Sequence, residues 1–292
     1  MRHIYMINRF HLLDKTDEIS NRIRKACEDT GQEYVIEINK TPEESTACVL
    51  RYKDSGSVLT CVGGDGTINH LVNDVAGSDT VISFIPFGTG NDFFHACSER
   101  LKDGISVSDT VRINDRFFIN AACFGIDADI ANDEAFIHNR LIPRSMRFNA
   151  AAVYHFLTWK KGRHLRLEFD SEIIEKDFIT VVASNSRYYG GGYNIAPDSR
   201  NDDGVMTVCI ADHLKKLNMA RTILSMKHAG HLNNPAVRIV RIKNLVISSD
   251  RPFAANIDGE RLVSDRFELE LLPKSCRIWF DRAFLQKCHV LA

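Results

Sequence analysis

The spacing of apolar and polar positions changes character near residue 110. Before it, short apolar runs at 3–7, 34–38, 58–62 and 81–85 alternate with longer amphipathic stretches. Short apolar runs bounded by turn formers read as buried strands, and apolar residues recurring every third and fourth position read as a helix face. Helices are predicted over 17–30, closed by Gly31, over 42–54, and over 67–75, where Ile68, Leu71, Val72 and Val75 recur before Gly77. Such alternation builds a doubly wound parallel sheet. Beyond residue 110 the runs are short and β-branched, at 116–122, 165–169, 178–183, 206–210, 237–242, 245–248, 267–272 and 277–280, with Gly, Asp and Asn turns between them. That pattern predicts a mainly antiparallel β domain, interrupted by helices near 144–159 and 216–228. The fold class expected is α/β plus β. A chain of 292 residues exceeds the usual single core, so two domains are expected, 1–119 and 120–280.

Two of the predicted strands end in glycine-rich turns. The run 58–62 stops at Gly63-Gly64-Asp65-Gly66-Thr67-Ile68-Asn69, and the run 80–86 enters Phe87-Gly88-Thr89-Gly90-Asn91-Asp92. A strand–Gly turn–helix unit lets backbone N–H groups approach a polyphosphate, and the helix N-terminus adds partial positive charge. Asp65 repels phosphate unless a cation lies between them, which points to a nucleotide bound as its metal complex and to phosphoryl transfer. No Gly-Lys-Ser/Thr follows, so this is not a Walker A loop, and the spacing is not Gly-x-Gly-x-x-Gly. An ordinary Gly/Asp turn explains the first stretch alone equally well. Two such units in tandem place both turns, each with an aspartate, at the carboxyl edge of one parallel sheet, where ligands bind.

Together, Gly63-Gly64-Asp65-Gly66-Thr67 and Pro86-Phe87-Gly88-Thr89-Gly90-Asn91-Asp92 resemble the catalytic region of diacylglycerol kinase-type lipid kinases. That family includes soluble bacterial lipid kinases and is related to sphingosine and ceramide kinases. Further stretches resemble it in the same order: Asn120 to Asp127, Gly190-Gly191-Gly192 through Ile195-Ala196-Pro197-Asp198, Asn201-Asp202-Asp203-Gly204, Gly230-His231, and Ile257-Asp258-Gly259-Glu260. One departure is that Asn8-Arg9-Phe10-His11 lacks the Pro and Gly of the family's first turn.

The resemblance implies an ATP-dependent kinase that phosphorylates a lipid alcohol such as diacylglycerol, uses Mg²⁺, and works in a cleft between its domains, with 281–292 returning to the first. It implies ATP contacts from Thr41, Gly63, Gly64, Asp65, Gly66, Thr67, Asn69, Gly88, Thr89 and Asn91. Thr41 serves equally as a helix cap before Pro42. Asp65 and Asp92 would hold the catalytic Mg²⁺, directly or through water, and Asp92 could also cap a helix. Asp127 would face the substrate or the metal network, or be a turn aspartate. Asp258 would be the general base, with Glu260 orienting metal or nucleotide; the spacing alone favours an Asp-Gly hairpin turn. A structural Mg²⁺ would sit on Asp203 and the carbonyls of Arg200 and Val205, where the sequence shows only an Asp-rich turn.

Composition limits the alternatives. Net charge is −1, with a pI of about 6.8, which argues against bulk nucleic-acid binding. No apolar run approaches the roughly 18 residues needed to span a bilayer, and no signal peptide precedes the first strand, so a cytoplasmic protein with only peripheral membrane contact is expected. The cysteines form no Cys-x-x-Cys pair and read as free buried thiols. His228 and His231 could share a helix face, though a lone pair is more often structural. Basic residues at Arg140, Arg144, Arg147, Lys160, Lys161, Arg163 and Arg166, interleaved with apolar ones, read as a solvated face or as contacts to ATP phosphates or anionic headgroups. Rival functions are an NAD kinase-like or phosphofructokinase-like phosphotransferase and a catalytically silent nucleotide sensor. A homodimer stays open.

Overall fold

The computed structural model describes residues 1–12, 15–88, 90–98, 100–137, 139, 141–143, 146–158, 162–212, 214–288 and 290. The chain forms two compact units: Met1–Thr110 with Pro273–Ala292, and Val111–Leu272. The division falls within the strand Glu260–Phe280, because the two predicted runs 267–272 and 277–280 are one strand that leaves the second unit and enters the first.

The first unit is built on strands His3–Asn8, Tyr34–Asn39, Val58–Gly63 and Val81–Pro86. His3–Asn8 lies between Tyr34–Asn39 and Val58–Gly63, and Val81–Pro86 pairs with the other edge of Val58–Gly63, all in parallel. Arg277 and Ile278 extend the sheet beyond Val81 and Ile82, again in parallel. The residues of His3–Asn8 and Val58–Gly63 are buried along their whole length, which is why both read as apolar runs rather than alternations. Strand order reverses at His3–Asn8, so the carboxyl ends of that strand and its neighbour Val58–Gly63 form a topological switch point. Helices Thr16–Thr30 and Arg282–Lys287 pack together, as do Pro42–Tyr52 and Asp65–Val75. Tyr5 stacks on Phe284, tying the returning C-terminal helix to the first strand. Where the family's first turn is missing, Arg9–Leu12 forms a short helix instead.

The second unit is antiparallel. Glu172–Ser184 pairs through its first half with Arg163–Phe169 and through its second half with Ala121–Gly125. Asn244–Ile257 does the same with those two strands. Two long strands thus pass from one layer to the other, and the core between them is filled by Phe118, Phe124, Phe178, Phe253, Phe267 and their aliphatic neighbours. Met206–Asp212 and Val237–Ile242 continue the sheet from Glu172–Ser184. Helices Ile126–Ala131, Arg147–Thr158 and Lys216–Ser225 share a separate cluster, with Ile126, Ile130, Ala151, Ile179, Ala211 and Met219 buried in it.

The predicted run 116–122 is broken into Arg116–Phe118 and Ala121–Gly125. The break lies where the backbone N–H groups turn away from the ladder toward Asp258, described below. His228 and His231 do not share a helix face. Ala229 sits between them with φ 57°, and His231 is buried, its ring nitrogen on the Ile195 carbonyl at 3.0 Å.

Candidate functional site

The phosphate-type turns of the first unit interlock. Gly63 ends its strand beside Pro86 of the next. A Cβ on Gly63 would lie 2.3 Å from Thr67 Oγ1, so only glycine lets the helix Asp65–Val75 start there. A Cβ on Gly88 would lie 2.6 Å from the Gly64 Cα, so the turns touch backbone to backbone. Phe87 N–H donates to the Gly63 carbonyl at 2.8 Å. Asn91, in the left-handed region at φ 52°, accepts from Gly88 N–H and donates to its carbonyl, each at 3.0 Å.

Asp65 completes the lock. Its carboxylate accepts from the N–H groups of Asp92 (3.0 Å) and Phe93 (2.9 Å), capping the short helix Asp92–Cys97 from the neighbouring turn. The structure therefore brings together Gly63, Gly64, Asp65, Gly66, Thr67, Gly88, Asn91 and Asp92. Thr67 and Ile68 both donate to the Gly64 carbonyl, so the helix begins directly at the glycines. Helix geometry leaves its first-turn N–H groups without intrahelical acceptors, and a Cβ on Gly66 would meet only open space. Such an edge suits an anion, and each of the two turns carries one aspartate, Asp65 and the buried Asp92. Among the described residues no cluster of three or more His, Cys, Asp or Glu side chains is poised to hold a metal. Asp65 and Asp92 alone fit Mg²⁺, which takes one or two carboxylates and draws its other ligands from phosphates and water.

The other nucleotide residues are placed differently. Thr41 caps the helix Pro42–Tyr52, accepting from Glu44 N–H at 3.3 Å, while Glu44 accepts from Lys40 N–H at 2.7 Å. Asn69 lies buried inside its helix, with Asn73 donating to its side-chain oxygen at 3.2 Å. Thr89 falls outside the described residues, as do Arg140, Arg144, Lys160 and Lys161.

In the second unit, Asp258 and Gly259 form a two-residue hairpin turn between Ile257 and Glu260, with φ of 47° and 95°. The Asp258 carboxylate does not point outward from this turn. It accepts from the N–H groups of Ile119 (2.8 Å), Ala121 (2.8 Å) and Asn120 (3.2 Å to each oxygen). Asp258 N–H in turn donates to the Ala121 carbonyl at 3.0 Å. The carboxylate thus lies in a backbone nest, which explains why the strand breaks at 119–120. Asn185 buttresses the nest: its side chain donates to the Ile119 carbonyl and its N–H to the Asn120 carbonyl, both at 2.9 Å. The sequence reading missed Asn185, whose only signal is a polar residue closing a buried strand.

Asp127 follows the far end of the strand Ala121–Gly125, about 13 Å of extended chain from the Asp258 nest. It accepts from Thr180 Oγ1 and from Tyr189 Oη (3.2 Å). Burial pushes its carboxyl up to about 6, the two hydroxyl donors acting in the opposite direction.

The Asp-rich turn supplies its own counter-charges. Arg200 pairs with Asp202 at 2.9 and 3.1 Å, Arg241 pairs with Asp203, and the other Asp203 oxygen accepts from Val205 N–H at 3.3 Å. With a guanidinium in place, Asp203 and the carbonyls of Arg200 and Val205 fit a structural cation poorly.

The chain thus combines a nucleotide-type parallel sheet in one unit with an antiparallel unit that carries the Asp258-Gly259 turn. Residues 5–114 match the model of the diacylglycerol kinase catalytic domain, and residues 120–280 match that of the YegS C-terminal NAD kinase beta sandwich-like domain. The chain belongs to the diacylglycerol kinase-type family of bacterial lipid kinases. It is 23% identical over 251 residues to the diacylglycerol kinase of Staphylococcus saprophyticus, covering 82% of this chain and 81% of the relative. It is 25% identical over 225 residues to that of Bacillus subtilis, covering 70% and 71%. A crystal structure of a putative diacylglycerol kinase from Bacillus anthracis superposes with a TM-score of 0.79 at 17% identity, covering 97% of this chain and 96% of that one.

Proposed function

We propose that the protein transfers the γ-phosphoryl group of ATP to the hydroxyl of a lipid alcohol such as diacylglycerol, with Mg²⁺ required. The observation that carries this reading is the interlock of the two glycine turns, which leaves a helix N-terminus open beside Asp65 and Asp92. The first-turn N–H groups would bind the β- and γ-phosphate oxygens, and the absence of side chains at Gly64, Gly66 and Gly88 gives the phosphates access to backbone. Mg²⁺, held by Asp65 and Asp92, would neutralise phosphate charge as it develops.

In the second unit, Asp258 would accept the hydroxyl proton. Phosphoryl transfer through a loose transition state asks little of base strength and much of position. A carboxylate fixed by backbone donors is positioned without relying on a flexible side chain, and as an acceptor it can align the attacking hydroxyl. Glu260, two residues on, would orient the nucleotide or metal. The protein would work in the cytoplasm, visiting the inner membrane surface for its substrate. Among the described residues no helix is long and apolar enough to cross a membrane.

The test is label transfer from γ-labelled ATP, offered diacylglycerol and NAD in parallel. Label in the lipid fraction supports the proposal. Label in NADP alone would assign an NAD kinase-like activity, and ATP binding without any transfer would assign a sensor.

A further inference from the structure

A peptide unit is a rigid plane in which the carbonyl of one residue and the N–H of the next point in opposite directions. Two successive planes of the broken segment run past Asp258. The first carries the Ile119 carbonyl and the Asn120 N–H; the second carries the Asn120 carbonyl and the Ala121 N–H. Their N–H ends meet the Asp258 carboxylate, Asn120 at 3.2 Å from each oxygen and Ala121 at 2.8 Å from one. Their carbonyl ends both meet Asn185. Its side-chain amide donates to the Ile119 carbonyl and its backbone N–H to the Asn120 carbonyl, each at 2.9 Å. Asn185 thus grips the far ends of the same two planes whose near ends hold the carboxylate.

The placement has a local cause. Ser184 closes the strand Glu172–Ser184 and pairs with Ala121, so Asn185 is the next position along and comes opposite Asn120. Two carbonyls need donors there, and a backbone residue offers one N–H. The carboxamide of Asn185 supplies the second, which an aliphatic side chain could not. Ile119, Asn120 and Asn185 are all buried, Asn185 completely, so bulk water cannot take its place. Satisfying a buried carbonyl would be reason enough for an amide in a core. What sets this one apart is the other end of the plane. A rotation that released the Ile119 carbonyl would swing the Asn120 N–H off the carboxylate, and that N–H is the donor shared by both oxygens.

We propose that Asn185 is a positioning residue for phosphoryl transfer, setting the Asp258 carboxylate through these two peptide planes. Its effect on turnover rests on the reading of Asp258 as proton acceptor; its hold on the carboxylate is testable without activity. The experiment compares wild type, Asn185→Ala and Asn185→Ser, whose hydroxyl is one bond too short to reach Ile119, with melting and circular dichroism to confirm that each folds. Amide resonances of the full chain are the first readout. Both variants free the first plane and keep the backbone N–H that grips the second. The Asn120 N–H should therefore move upfield while the Ala121 N–H moves less. Initial rates are the second readout. kcat should fall by about 10- to 100-fold, the scale of a misplacement approaching 1 Å, with ATP affinity by calorimetry unchanged. The third is a double-mutant cycle. If Asn185 acts through Asp258, adding Asn185→Ala to Asp258→Asn should lower kcat by less than about 2-fold further.

An Asn120 resonance that neither variant moves overturns the positioning role. So does a wild-type kcat in the folded Asn185 variants where Asp258→Asn is impaired. An equal fall in kcat on both backgrounds also overturns it, since that is the mark of a general loosening of the unit. Full turnover by Asp258→Asn itself, with the Asn120 resonance moved in Asn185→Ala, leaves Asn185 holding this carboxylate and removes the proton-acceptor reading instead.

Discussion

Replacing Asp258 with Asn changes one oxygen into an NH₂ and leaves the side chain's shape intact. The structure fixes what that costs. Ile119 and Ala121 N–H groups donate to opposite oxygens at 2.8 Å, and Asn120 N–H is shared between them. In either orientation of the amide, one of the two outer N–H groups loses its acceptor and meets a donor, at about 1–3 kcal/mol. The surviving oxygen is neutral, so the bonds that remain lose their charge assistance, at roughly another 1 kcal/mol. The expected destabilisation is about 2–4 kcal/mol, read as a fall of about 5–15 °C in the thermal transition of the second unit. Turnover should drop by roughly 10²-fold or more, as for loss of a positioned proton acceptor. Differential scanning calorimetry beside initial-rate assays separates the two effects. An unchanged melting transition would show that the backbone nest does not hold this carboxylate; a lowered transition with wild-type turnover below it would remove Asp258 from the chemistry and leave it a clamp.

Asp65→Ala should cost about 1–2 kcal/mol by uncapping the helix Asp92–Cys97, and should weaken Mg²⁺-dependent ATP use; melting and rates against Mg²⁺ concentration check both, and unchanged values in each would refute the placement. Gly88→Ala should separate the two turns, since its Cβ would fall 2.6 Å from the Gly64 Cα, and should abolish ATP binding measured by calorimetry while the second unit still melts normally. Asp127 carries a carboxyl raised from its ordinary 3.8 to about 6 by burial, so the folded chain holds a proton that the unfolded chain releases, and stability falls as pH rises through this window. Asp127→Asn removes that dependence, so its stability relative to wild type should rise by up to about 3 kcal/mol between about pH 4 and pH 7; parallel denaturation curves at both pH values would contradict the assignment. Asp203→Ala should lower stability through loss of the Arg241 ion pair, with the same small Mg²⁺-dependent melting shift as wild type; a shift present in wild type and lost in the variant would restore a cation to that turn.

The parallel sheet was legible because its strands are buried end to end, so their apolar runs are unbroken, and because Gly31 closes the helix Thr16–Thr30 in the left-handed conformation that glycine favours. The two glycine turns were legible for the same kind of reason, since a close backbone approach leaves a mark in composition. What the sequence hid was the destination of side chains. Asp65 reads as a metal ligand from its position among glycines, yet its carboxylate also caps a helix that begins at Asp92. The Asp258-Gly259 turn announces a hairpin, but nothing local shows that its carboxylate takes the N–H groups of residues far earlier in the chain and breaks the run 116–122. The neutralising role of Arg241 at Asp203 depends on strand register between Met206–Asp212 and Val237–Ile242, which no motif encodes. The helix Ile126–Ala131 was missed because its few residues carry too little periodicity to distinguish it from a turn. The two long strands Glu172–Ser184 and Glu260–Phe280 were seen only as fragments, since exposed polar stretches interrupt their apolar positions.

The central claim is that ATP's terminal phosphoryl group ends on a lipid hydroxyl. Mass-spectrometric quantification of ADP and phosphatidic acid in one reaction with purified protein, ATP, Mg²⁺ and diacylglycerol tests it most directly. The account predicts that both appear in equal amounts and that omission of Mg²⁺ stops both. ADP formed without phosphatidic acid, or no product at all under saturating ATP, would contradict it.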